Sequence, residues 1–299
     1  MSTPAQSATW PADDVVAAMR TGAPASADLV NHYYTLCIPF YREFLGEHWH
    51  TGFYLPHGPT GPQDQLRMER LIAHSAGVGD GCAVLDVGCG IGGTACHLAH
   101  STGAVVRGLT PNSTQLAMAR ETAARRGLGG RVAFDLGDAG HLPYADGSFD
   151  VVTFFESACH FHDRGRFFAE AWRVLRPGGR LAGEDWLQCE GMVAAQRGPW
   201  IDRVCSTWAI PSLATVTGYA AGMSGAGFDM VLARDMREEM HLSRGFITQP
   251  EDRRSVEMEM RQTQDPIRRM IIEGLLALGG AVQAGAFTIG RFVAHKPPP

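Results

Sequence analysis

The chain is short of the features that would send it to a membrane, to nucleic acid or to an oxidising compartment. Its seven cysteines include no C-x-x-C pair, which argues against a disulfide framework and against a zinc site, so no metal is expected. No run of about 18 apolar residues is present, so no membrane span is expected. Basic residues are not in excess: 26 Lys and Arg stand against 31 Asp and Glu, for a net charge of -5. Without a basic stripe, no nucleic-acid partner is expected. Met1 to Asp14 lacks the basic-then-apolar order of a secretory signal, which makes a reducing cytoplasm the expected home. There is no internal repeat. Glycine, in contrast, is plentiful, and its placement organises the chain.

Ala83 to Val87 is an apolar run that suits a buried parallel strand, and it breaks into Gly88, Gly90, Gly92 and Gly93. Glycines there let the backbone turn tightly and approach a ligand with no side chain between. Thr94 to Thr102 reads as a helix, whose free N–H groups and positive dipole end face whatever lies over the glycines. The spacing Gly88-x-Gly90-x-x-Gly93 also fits a dinucleotide fingerprint, a weak signal alone because tight turns use glycine for steric reasons. Asp86 sits inside the strand end, where a carboxylate must be hydrogen-bonded. The next strand, Ala104 to Thr110, lacks the acid that would bind an NAD ribose, so NAD is disfavoured.

With these residues in view, the chain resembles the class I S-adenosylmethionine-dependent methyltransferases, whose first motif is similar to Leu85-Asp86-Val87-Gly88-Cys89-Gly90-x-Gly92-Gly93. Most members carry an acidic ribose ligand after the second strand. Here Gly108-Leu109-Thr110 with Gln115 instead matches a subgroup that includes tocopherol, sterol and prenyl-diphosphate methyltransferases and natural-product O-methyltransferases. The resemblance implies an α/β, Rossmann-like, seven-stranded fold and S-adenosylmethionine as cofactor. The implied cofactor ligands are Asp86, Gly88, Cys89, Gly90, Gly92, Thr110, Gln115, Asp138, Ala139, Glu156 and Tyr33. On local grounds Gln115 has a second role, since Asn112 and Gln115 make a capping-box pattern. Asp138 follows the third strand, where the family places an acid on the adenine amino group; the alternative is a turn aspartate.

Ahead of the core, Leu29 to Tyr54 is dense in aromatics, which suits a lid over a flat ligand or simple packing onto the core. His48-Trp49-His50-Thr51-Gly52-Phe53-Tyr54 is similar to a His-x-His-x-Gly-Phe-Tyr segment of tocopherol methyltransferases, which implies a segment closing the active site with Tyr33 or Tyr34 near the sulfonium. His50 is the substrate-side candidate, with a structural histidine as the alternative.

Glu156-Ser157-Ala158-Cys159-His160 follows the fourth strand, at the sheet edge that holds chemistry in open α/β folds. It resembles a Glu-Ser-x-x-His segment of tocopherol and sugar O-methyltransferases. A hydroxyl acceptor needs a group to take its proton, and His160 is the expected base, with a structural histidine as the alternative; the resemblance to sugar O-methyltransferases implies that Asp185, from the end of the fifth strand, works with it. Glu156 has a rival claim, because prenyl-diphosphate C-methyltransferases use a carboxylate there.

Phe155, Phe161, Trp186 and Trp208 are expected to line the acceptor's seat. Around Trp208, apolar residues at helical spacing also suit plain core packing. A helix is expected at Val216 to Ser224, a long helical region from Pro250 to Leu278, and then Gly279-Gly280 leading to a last strand from Ala286 to Ala294. The expected organisation is a flexible tail (1–27), a helical lid (28–76), the cofactor core (77–186), a helical cap with the sixth strand (187–285), and a last strand with tail (286–299). The expected activity is methyl transfer to a small aromatic or terpenoid natural product, at oxygen by slight preference and otherwise at carbon; a protein that holds the cofactor without turnover is the other class. A small molecule is the expected partner, and a homodimer is left open.

Overall fold

The computed structural model describes residues 10–21, 25–193 and 197–298. Seven strands form one sheet: β1 (Ala83–Val87), β2 (Val105–Thr110), β3 (Val132–Leu136), β4 (Phe149–Phe155), β5 (Leu175–Gln188), β6 (Asp229–Asp235) and β7 (Phe287–His295). Their order is β3-β2-β1-β4-β5-β7-β6, with β1 to β5 parallel and β7 antiparallel to both neighbours. The central strands are buried on both faces, which is why Val84, Leu85, Val151, Val152 and Leu181 read as continuous apolar runs. From β1 the chain proceeds outward to β2 and β3, and from β4 outward the other way. The crevice at the carboxyl ends of β1 and β4 is therefore the switch point where a ligand can enter.

Helices cover the sheet. They are α1 (Ala12–Met19), α2 (Ala27–Phe44), α3 (Pro62–Ala76), α4 (Gly93–Thr102), α5 (Ser113–Arg125) and α6 (Arg164–Val174), followed by helices at Arg203–Thr207, Val216–Gly225, Pro250–Gln262 and Pro266–Gln283. Caps set several starts: the Asn112 side chain accepts from the Gln115 N–H, and Asp163 accepts from Arg166 N–H. One core lies between the sheet and α3 to α5, and another packs Phe154, Phe167, Phe168, Tyr219 and Phe292 on the opposite face. Truncating any of those buried aromatic rings to alanine should cost about 3–5 kcal/mol.

The third core joins lid and cap. Val15, Met19, Leu29 and Tyr33 of α1 and α2 pack with Ile267, Met270 and Ile271 of the helix Pro266–Gln283. Two surface ion pairs, Arg20 with Glu273 and Arg268 with Glu43, tie the same elements. The stretch expected to be a flexible tail thus contains a helix, since Val15 and Met19 have an apolar face to bury.

The long helical region also differs from expectation. It breaks after Gln262, restarts at Pro266 with Asp265 as its cap, and runs through Gly279 and Gly280 to Gln283. Those glycines, expected to lie past the helix end, are inside it. A Cβ on Gly279 would collide with the Ile247 carbonyl, and one on Gly280 would come 2.9 Å from the Trp200 ring. Close packing is what they provide.

Candidate active site

A cavity of about 590 Å³ opens at the β1/β4 crevice. On one side lie Asp86, Gly88, Cys89 and Gly90, with Thr110, Gln115, Asp138 and Ala139 beyond; on the other lie Tyr34, His50, Phe155, Glu156, His160 and Phe161. Gly88 has φ of +81°, and a Cβ on it would strike the Ser157 side chain, so turn and β4 loop fit only with glycine there. The lid crosses the same loop: a Cβ on Gly93 would collide with the Glu47 carbonyl, while Glu47 pairs with Arg125 and Arg126 of α5. Trp49 covers Gly90, whose Cβ would lie 3.5 Å from its ring.

The cofactor side fits a nucleoside with an amino-acid tail. Asp86 is buried, and its Oδ1 takes the Thr153 hydroxyl (3.2 Å) while Oδ2 has no partner. Burial pushes its carboxyl up to about 7, against the Thr153 hydrogen bond. An ammonium group placed there would satisfy the orphaned oxygen. The Gln115 Oε1 accepts from the Thr110 hydroxyl at 2.7 Å, so both side chains on the cavity wall are fixed by each other. Asp138 closes a turn by accepting from the Gly140 N–H, with its second oxygen left for a ligand.

His160 stands on the cavity wall with both nitrogens assigned. A carbonyl can only accept, so the 3.2 Å contact to Ala209 O makes Nδ1 the protonated nitrogen. Nε2 is then the acceptor of the Tyr34 hydroxyl at 2.7 Å. Burial holds the imidazole down to about 4, against the Ala209 hydrogen bond, so His160 is neutral at physiological pH. Glu156 has φ of +47°, a left-handed conformation rare for a non-glycine residue and characteristic of functional sites. Its Oε1 accepts the Thr51 N–H at 2.8 Å. Burial pushes its carboxyl up to about 7, opposed by Thr51 and by the charge of His50.

Five expected site residues lie elsewhere. Tyr33 is fully buried, with its hydroxyl against Tyr41 at 3.2 Å, and Tyr34 takes the cavity position instead. Gly92 does not line the cavity; it faces Phe134, whose ring would be 2.7 Å from a Cβ. Asp185 does not pair with His160. Its oxygens accept from Cys159 N (2.9 Å), Trp186 N (2.8 Å) and the Tyr219 hydroxyl (2.9 Å). Successive residues of a strand face opposite sides, so β5 sends Asp185 to the α6 side and Glu184 toward the lid. Trp186 and Trp208 pack on each other at 5.2 Å within the lid and cap core, outside the cavity. Sheet pleat and the large apolar demand of that core decide these placements.

Behind His50 stands Glu69, fully buried on α3. Its Oε1 accepts from His48 Nδ1 (2.7 Å), His50 Nε2 (2.9 Å) and the Thr94 hydroxyl (2.8 Å), while His97 Nδ1 lies 3.3 Å from Oε2. His50 Nδ1 also donates to the Thr51 carbonyl at 3.0 Å, so both its nitrogens carry protons and the ring is a cation. Burial works against that charge, but the hydrogen bond and charge of Glu69 hold the His50 pKa above its ordinary value. Burial likewise opposes ionisation of Glu69, and the two histidines overcome it and hold the carboxyl well below the usual range. Three ligand-type atoms here lie within 4.8 Å of one another, yet each histidine nitrogen already ends on Glu69 Oε1. The group is a hydrogen-bonded relay joining lid, α3 and α4. His50 therefore offers an acceptor only its ring, which leans on Phe155 at 5.2 Å.

Glu69 was detectable in the sequence only as one acid in the apolar stripe Met68, Ile72, Ala73, Ala76 of α3. Glu184 was visible as one of two adjacent acids in a central strand, with nothing to say which faces the cavity.

A profile described as a methyltransferase domain matches residues 85–183. Methyltransferase GfsG of Streptomyces halstedii is 36% identical over 212 residues, 70% of this chain and 76% of that one. The chloroplastic tocopherol O-methyltransferase of Arabidopsis thaliana is 31% identical over 244 residues, 75% of this chain and 70% of that one. Among solved structures, the [4+2]-cyclase SpnF superposes with a TM-score of 0.77 at 25% identity, over 93% of this chain and 100% of that one. A fold that also carries a cyclase leaves the chemistry to be argued from the cavity wall.

Proposed function

The chain belongs to the S-adenosylmethionine-dependent methyltransferases and acts on a small molecule, and from that premise we propose that its acceptor is a hydroxyl of an aromatic or terpenoid natural product, with His160 taking the proton. When bound, the cofactor supplies an electrophilic methyl group on a positively charged sulfur. Asp86, Gly88, Gly90, Gln115 and Asp138 would hold it, and the protein's remaining task is alignment and exclusion of water. Trp49 and Glu47 of the lid serve the second task by covering the glycine loop.

The observation that carries the proposal is the Tyr34 to His160 hydrogen bond at the cavity wall. Tyr34 donates to His160, so its oxygen is left to accept from an acceptor hydroxyl, and a proton lost there moves on to Nε2. His160 is a weak base, which suffices: an oxygen gaining a third substituent becomes a far stronger acid than an imidazolium. Burial keeps the Tyr34 phenol itself well above its ordinary range, so it relays a proton and does not hold the charge. The aromatic or terpenoid class is supported by the apolar wall of Phe155, Phe161 and Trp49 and by the relatives' names.

One observation favours a second reading, methylation at carbon. Glu156 faces the cavity and titrates near neutrality, as suits a carboxylate that removes a proton from a carbon centre. The test uses methyl-labelled cofactor with a panel of phenols and terpene alcohols. His160→Ala should lower turnover by about 10²-fold or more with cofactor binding retained. Near-normal turnover in His160→Ala, with loss in Glu156→Gln, would transfer the role to the carboxylate.

A further inference from the structure

Glu184 is a buried acid that the methyl-transfer proposal leaves unused. It lies on β5 opposite Phe155 of β4, and its backbone carbonyl accepts the Glu156 N–H at 3.0 Å. Its side chain is fully buried, and neither carboxyl oxygen meets an N–H or hydroxyl donor; its side-chain hydrogen-bonding neighbour is the Glu156 carboxyl. The nearest cation, His50, has its Nδ1 3.8 Å away, and that N–H is committed to Thr51. A carboxylate so placed is not tolerated as an anion, so Glu184 carries a proton. Glu156 stands next to it with one oxygen on Thr51 N–H and its side chain on the cavity. Two carboxyls in one dry site do not both ionise.

We propose that Glu184 and Glu156 hold one proton between them, and that the pair's single negative charge lets the site distinguish the cationic methyl donor from the neutral thioether left after transfer. Glu184 acts through Glu156 and is a positioning residue. The inference rests on the cofactor of the family and not on the acceptor. Burial pushes both carboxyls up, Glu184 further because Glu156 and Asp185 add their charges.

The other titratable groups around the pair do not compete with it. His50 from the lid and Glu69 from α3 cancel as an ion pair; Asp185, pushed up to about 6 by burial against its three donors, ionises at the acid edge of the range and lies on the far face, where donor and product meet it alike. Tyr54 from the lid, Tyr34 and Tyr41 from α2, and Cys159 are kept neutral by burial. Asp86 also titrates near neutrality, but it would face the amino-acid tail that donor and product share, so its effect cancels in a comparison of the two.

The experiment is calorimetric titration of the full chain with S-adenosylmethionine and with S-adenosylhomocysteine, from about pH 6 to 8.5, in buffers of different ionisation enthalpy. A sulfonium near the pair favours the anion, so donor binding should release more protons than product binding near neutrality. The ratio of donor to product affinity should rise with pH by about tenfold or more, the effect of one unit of pKa shift from a nearby opposite charge. Glu184→Leu removes the proton donor beside Glu156, so the midpoint of that rise should move to higher pH. Glu184→Gln keeps a weaker donor and should move it less in the same direction. A pH-independent ratio in the unmodified protein overturns the proposal, and so does an unmoved midpoint in both variants with product binding intact. If one variant loses product binding altogether, the other decides. No acceptor is used, so failure here is separable from failure of His160 as base.

Discussion

Replacing Glu69 by glutamine removes the negative charge on which His48, His50 and Thr94 converge and leaves only a neutral amide oxygen to accept from them, with little change in volume. The carboxylate is fully buried and paired with a buried imidazolium, so the loss is that of breaking a buried ion pair, about 3–5 kcal/mol. For a chain of this size that corresponds to a fall in melting temperature of about 5–8 °C. The pH dependence has a sign. The folded pKa of His50 is raised, so its contribution is complete below the ordinary value of 6.5 and fades as pH climbs through the folded value. The folded pKa of Glu69 is depressed, so its contribution is present above the ordinary value of 4.5 and is lost only in strong acid. The deficit of Glu69→Gln should therefore be largest in mildly acidic buffer and shrink as the medium becomes alkaline. Thermal melts followed by circular dichroism would measure it, with His50→Gln and the double variant completing a cycle whose coupling should reach about 1–3 kcal/mol. A deficit of about 1 kcal/mol or less, the size of an exposed pair, would refute the reasoning. Prior dialysis against a chelator should leave the melt unchanged; a chelator-dependent fall would show that the histidines and Glu69 hold an ion.

Two further outcomes are expected. Asp138→Ala should weaken cofactor affinity in calorimetry with little change in melting, and unchanged affinity would return Asp138 to a turn role. Gly93→Ala should be badly tolerated, because its Cβ meets the Glu47 carbonyl; the measurement is cofactor affinity together with proteolysis of the lid, and a fully functional variant would show that the lid does not press on this loop.

Much of the cofactor half is legible in the sequence. Apolar runs ending in glycine, a capping Asn112 and a turn at Asp138 are local signals, and the strands and helices they foretold are present within a residue or two. The acceptor half was less legible because it depends on which face of a strand or helix meets which partner. Asp185 and Glu184 are neighbours in sequence and on opposite sides of the sheet, and Tyr33 and Tyr34 part company by the 100° step of a helix. Trp186 and Trp208 have the composition of a ligand pocket, yet the lid and cap demanded their bulk first. Gly279 and Gly280 read as the end of a helix, yet the helix runs through them because close packing against Ile247 and Trp200 needs residues without a side chain.

The joining of α1 and α2 to the helix Pro266–Gln283 has a consequence for the order in which the protein is made. The first helices emerge from the ribosome long before the surface that buries Val15, Met19 and Tyr33 exists. The parallel strands β1 to β5 pair among themselves as they emerge and leave the outer edge of β5 for β7, whereas the core under the lid is incomplete until Ile267 to Ile271 have been synthesised. The wall carrying Tyr34 is therefore completed late, after every residue of the β1/β4 crevice has been synthesised.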